Sequence, residues 1–128
     1  MTRVVAVNTV GGPEMLSIED WEVGAPGPGQ VRLRQTAIGL NFIDTYQRSG
    51  LYPLPLPFVA GNEAAGEVIA VGEHVTEVKI GDRVCYQGSP GAYADERLMP
   101  VEKLVPIPEG VDDQTAAAVL LKGLTAYY

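Results

Sequence analysis

Breakers set the frame of this chain. Fifteen glycines and ten prolines are spread through 128 residues, and they fall between short runs of β-like sequence. Glycine supplies turn conformations that other residues adopt only at a cost, and proline removes a backbone donor. Long helices are thereby excluded over most of the length, which leaves short strands joined by tight turns, the pattern of a barrel or sandwich.

Residues 3–10 read as a first strand ending at Gly11-Gly12-Pro13, and 16–23 as its hairpin partner. Gly24-Ala25-Pro26-Gly27-Pro28-Gly29 is a turn-rich connection. Val31, Leu33, Gln35, Ala37 and Gly39 alternate with Arg32, Arg34, Thr36 and Ile38, the period of a half-buried strand. Asn41 or Asp44 is placed to cap a short helix ended by Gly50. Proline at 53, 55 and 57 forces an extended path, read here as a stiff connector packed on the barrel. Residues 64–71 form an apolar, buried strand. Strands are also expected at 78–84, 92–99 and 104–107, confined to edges or ends by Pro100, Pro106 and Pro108. Asp112 or Asp113 caps a final helix, which Gly123 breaks or kinks.

Acidic residues outnumber basic ones 16 to 9, for a net charge of −7, and no basic stripe exists. That balance argues against nucleic-acid binding. No apolar run approaches the ~20 residues that cross a bilayer. A lone cysteine, Cys85, makes no internal disulfide. The expected address is the cytoplasm.

Three segments carry a resemblance. Gly39-Leu40-Asn41-Phe42-Ile43-Asp44-Thr45-Tyr46-Gln47-Arg48-Ser49-Gly50 resembles the active-site loop of quinone oxidoreductases. Gly61-Asn62-Glu63-Ala64-Ala65-Gly66-Glu67-Val68, with Lys79-Ile80-Gly81-Asp82-Arg83-Val84, resembles the core signature of medium-chain dehydrogenases and reductases. Ala116-Ala117-Ala118 with Leu121-Lys122-Gly123-Leu124-Thr125-Ala126 resembles the helix that leads from the catalytic towards the cofactor domain. Together they identify the chain with the zinc-free quinone oxidoreductases of that superfamily.

The resemblance implies a mainly β, GroES-like, partly open barrel over residues 1–111, with 112–128 as a connecting helical segment. It also implies a following Rossmann domain that binds NADPH, whose glycine-rich strand–turn–helix start has no counterpart here. The expectation is therefore a catalytic domain without its nucleotide-binding half, inactive alone. Zinc is not expected: the catalytic cysteine position holds Asn41, the histidine before Glu63 is replaced by Asn62, and no cysteine-rich lobe follows Val84. Cys85 reads as a small buried residue and His74 as a solvated one.

By the same resemblance the activity is NADPH-dependent reduction of quinones, or of the activated double bonds of enones and alkenals. Hydrogen-bond donors must then stabilise the charge growing on the acceptor oxygen in place of a metal. Asn41 and Tyr46 are the candidates, four to five residues apart at the start of a short helix and so expected on one cleft wall. On residue type alone, Asn41 is a helix cap and Tyr46 a half-buried ring. Phe42, Ile43, Asp44, Thr45 and Tyr46 would line the nicotinamide end of the cofactor, with Lys122 and Tyr128 approaching from the side. The proton donor stays open between Tyr46 and solvent. A homodimer is possible for the whole protein. The competing reading is a stand-alone GroES-like binding barrel without catalysis.

Overall fold

The structure is a computed structural model that describes residues 1–127. Eight strands and two helices follow one another as β1 (Thr2–Val7), β2 (Leu16–Trp21), β3 (Gln30–Gly39), α1 (Phe42–Ser49), β4 (Phe58–Val59), β5 (Glu63–Val71), β6 (Arg83–Tyr86), β7 (Glu96–Pro100), β8 (Val105–Pro106) and α2 (Asp113–Tyr127). They form two antiparallel sheets, ordered β2-β1-β4 and β7-β3-β5-β6-β8. Residues 93–95 join the sheets without closing them: Val5 N–H donates to the Tyr93 carbonyl, and Asp95 N–H to the Arg3 carbonyl, at 2.8 and 3.0 Å. This is the mainly β, partly open GroES-like architecture expected from the sequence.

The core follows from alternation. On β3, Val31 and Leu33 are fully buried, whereas Arg34, Thr36 and Ile38 face out. They meet Ala64, Val68, Val84, Tyr86, Ala92, Met99 and Val101 in one apolar cluster. A second cluster lies on the other face of the larger sheet, where Ala65, Cys85 and Ile107 pack under Ala116 and Ala117 of α2. Small side chains on both sides bring the helix close to the strands.

Several elements differ from the sequence reading. Residues 78–82 form a turn instead of a strand entry, with Asp82 accepting from Lys79 N–H at 3.0 Å, so β6 begins only at Arg83. Residues 92–95 are drawn into the bridge between sheets, which delays β7 to Glu96. A two-residue strand, β4, emerges straight after the prolines and pairs with β1. Gly123 neither breaks nor ends α2; nothing lies within 4 Å of its missing side chain, and packing further back holds the helix through it. Asp112 caps that helix, its carboxylate accepting Thr115 N–H at 2.7 Å.

Candidate functional site

Local sequence accounts for α1. Asn41 is extended at the N-cap (φ −139°, ψ 155°), and Asp44 returns a carboxylate oxygen to its N–H at 3.1 Å, placing negative charge at the positive end of the helix. At the other end Gly50 adopts φ 89°, which a side chain would resist. Arg48 ties the helix to the β1–β2 turn by donating from Nε to the Gly11 carbonyl at 3.2 Å.

Beneath α1 lies a buried polar wedge. Asp44 Oδ2 accepts the Tyr93 hydroxyl at 2.5 Å, and Oδ1 accepts Asn62 Nδ2 at 2.8 Å. Asn62 Nδ2 also donates to Gln47 Oε1 at 2.7 Å. Burial, and then the neighbouring Asp44 carboxylate, push the Tyr93 phenol far above its ordinary range, so it stays a donor. Glu63, wholly removed from solvent, accepts Asn41 Nδ2 at Oε1 (2.9 Å) and Leu121 N–H at Oε2 (2.8 Å). No buried side-chain nitrogen or oxygen among the described residues lacks a partner.

Above the wedge, Leu40, Asn41, Phe42, Thr45 and Lys122 line an open groove of about 350 Å³. An adjoining depression of about 450 Å³ runs from Thr36 to Leu40 along β3 and is walled by Gln114, Ala117, Ala118 and again Lys122. Phe42 is 81% exposed. An apolar ring, a cationic side chain and amide groups at one edge suit a flat ligand that carries negative charge.

The structure therefore gathers Asn41, Phe42, Thr45 and Lys122 round one groove. Tyr46 stands apart from it: five residues along a helix turn a side chain roughly 140° from its starting direction. Its ring meets Tyr52 edge to face at 5.4 Å, 39% exposed. Asp44 is buried under the helix and Ile43 half-buried. Tyr128 lies outside the described residues. Glu63, Gln47, Tyr93 and Tyr52 were not named as site residues from the sequence, and Asn62 was read there only as the replacement of a histidine. For Glu63 a signal existed, since a carboxylate set in Gly61-Asn62-Glu63-Ala64-Ala65-Gly66 stands alone among small residues.

Metal-ligand chemistry is poorly provided for here. Among the described residues no three His, Cys, Asp or Glu side chains converge on a common point. Asn62 is fully engaged by its neighbours. Cys85 is buried, its thiol pushed up by that burial and then by the charge of Glu63. His74 sits exposed in a turn at φ 68°.

Comparison with known proteins adds the family context. The alcohol dehydrogenase GroES-like domain profile matches residues 27–109. A quinone oxidoreductase of Pseudomonas aeruginosa is 54% identical over the whole chain, which spans 40% of that protein. A 2-haloacrylate reductase of Burkholderia is 48% identical, again over the whole chain and 40% of its own length. The crystal structure of Escherichia coli quinone oxidoreductase complexed with NADPH superposes with a TM-score of 0.94 at 44% identity, covering 100% of this chain and 40% of that one. The chain thus spans about two fifths of the length of these relatives.

Proposed function

This chain belongs to the alcohol dehydrogenase GroES-like domain family, and we propose that it forms the acceptor-side wall of an NADPH-dependent, zinc-independent quinone reductase. The observation that carries the reading is the groove where Asn41, Phe42 and Lys122 meet above a polar wedge, in a chain matched end to end by a quinone oxidoreductase. Residues 1–111 serve as the catalytic domain, and 112–128 as the segment leading to a nucleotide-binding domain that holds most of the cofactor. The whole protein is placed in the cytoplasm, acts on small molecules without nucleic acid or membrane, and forms a homodimer.

Phe42, Thr45 and Lys122 fit the nicotinamide end of the cofactor by the groove they line, and the family resemblance adds Tyr46 and Tyr128 to that end. Ile43 and Asp44 support them by fixing the helix on which they stand. When bound, NADPH supplies a hydride. Asn41 has one amide N–H left after its bond to Glu63, and Tyr46 has a phenol O–H about 140° further round α1. We assign the stabilisation of charge on the acceptor oxygen to Asn41 at the groove, as a metal would do elsewhere, and to Tyr46 the part of the acceptor that extends beyond it. Phe42 and Leu40 keep water from the reacting face. The proton that completes the hydroquinone comes from Tyr46 or solvent.

A second reading, reduction of an activated carbon–carbon double bond, is favoured by the 48% identity to a 2-haloacrylate reductase. It uses the same donors on an enolate oxygen. The deciding experiment follows NADPH oxidation by the longest chain the gene encodes, with a quinone and then an enone as acceptor, with and without a metal chelator. Turnover that survives chelation, with none from the 128-residue chain alone, is the expected result. An inactive long form that binds no cofactor would leave the non-catalytic barrel; loss on chelation would remove zinc independence.

A further inference from the structure

We propose that Glu63 is a positioning residue that fixes both the orientation of the Asn41 amide and the separation of the groove's two sides. Its consequence for turnover rests on the reductase reading, whereas its geometry does not.

Glu63 opens β5 with 0% exposure, and among the described residues no Lys, Arg or His pairs with it. A buried carboxylate without a cation depends wholly on its hydrogen bonds, and bonds to a charged acceptor are the strong ones. Two donors supply them from opposite sides of the groove. Asn41 Nδ2 comes from the cap of α1 at 2.9 Å, and Leu121 N–H from the backbone of α2 at 2.8 Å. Turning the Asn41 amide over would set Oδ1 against a carboxylate oxygen, acceptor against acceptor. Glu63 therefore decides that the Asn41 side-chain carbonyl faces the Asp44 N–H of the capping box and that one amide N–H is left for another partner. At its other end it holds the turn of α2 next to Lys122, which lines both the groove and the adjoining depression.

Gly39 makes the three-way meeting possible. A Cβ there would lie 2.6 Å from the Ala117 carbonyl oxygen and 2.8 Å from Glu63 Oε1. Backbone β3, the buried carboxylate and α2 consequently touch at a point where no other residue fits without displacement. The wedge under α1 and the helix on the far side of the groove are joined through this one side chain.

The test uses Glu63→Gln, which keeps the volume but replaces one acceptor with a donor facing another donor. In the longest chain the gene encodes, turnover with NADPH and a quinone is expected to fall at least ~10-fold, with KM for NADPH changed less than about threefold. In an Asn41→Ala background the same substitution should cost clearly less than it does alone, because only the hold on α2 is left to lose. Equal losses in the two backgrounds overturn the proposal. Nitrogen-edited NMR of the unsubstituted protein provides a readout independent of turnover and of whether any variant folds. One Asn41 side-chain amide proton should resonate well downfield of its partner, and an Asn41 pair at ordinary positions overturns the proposal. An unsubstituted long chain without turnover, but with that displaced proton, would instead defeat the reductase reading and leave the contact standing.

Discussion

The apolar core and the wedge beneath α1 are both closed to water, yet they hold together in different ways. Val31, Leu33, Val68, Val84 and Met99 pack within 1% of complete burial, and their attraction has no direction. Asp44, Gln47, Asn62 and Glu63 are buried to within 7%, and each is held by bonds that have one geometry. The core specifies that a barrel forms; the wedge specifies where α1 sits on it. Substitution should separate the two: the core answers to volume, the wedge to hydrogen-bonding capacity.

Removing volume from the core gives the largest effect. Leu33→Ala should destabilise the fold by about 3–4 kcal/mol in denaturant unfolding, with Leu33→Met costing under about 1.5 kcal/mol. In the wedge, Asp44→Ala strands the Tyr93 hydroxyl and one Asn62 amide proton, and should cost about 2–3 kcal/mol. An indifferent Asp44→Ala would break the comparison. Gly39→Ala sharpens it, since the added methyl must displace either Ala117 or Glu63. We expect about 1–2 kcal/mol, with the Asn41 amide resonance moved by a substitution that removes no polar group.

Acid should act on a third place, the anchoring of α2. The Asp113 carboxyl is held below its usual value, first by the Thr36 hydroxyl at 2.6 Å and, against some burial, by Arg83 at 2.7 Å. A depressed folded value means that this support is complete above the ordinary carboxylate pKa and is lost as pH falls through the folded one. Stability followed from pH 6 downwards should fall below about pH 4, and Asp113→Asn should flatten that part of the curve. The smallest expected effect on stability is that of Tyr46→Phe, within about 0.5 kcal/mol, because the ring is partly exposed and its hydroxyl makes no bond among the described residues.

What the sequence made legible follows the same division. Alternation on β3, the cap at Asn41 and the stop at Gly50 are local signals, and the structure repeats them. Residues 92–95 left their expected strand because pairing with β1 across the sheets is a tertiary event with no local mark. Gly123 stayed helical because Ala116 and Ala117 are anchored against Ala65, Cys85 and Ile107, an advantage larger than the helix propensity lost at one glycine. The groove was half visible: Phe42, Thr45 and Lys122 were named from a resemblance, and they line it or flank it. Helical rotation separates Tyr46 from them, although sequence proximity had grouped it with Asn41. Glu63 stood alone among small residues but was passed over because charge normally signals exposure; only a fold that supplies two donors from two helices reverses that expectation.

The central claim is that the donors at α1 carry the acceptor chemistry. The direct measurement is NADPH oxidation at saturating quinone by the longest chain the gene encodes, comparing Tyr46→Phe and Asn41→Ala with the unsubstituted protein at equal folded concentration. Each variant is expected to turn over at least ~10-fold more slowly, the first with unchanged stability. Turnover unaffected by both substitutions would contradict the account and move the chemistry away from this wall of the site.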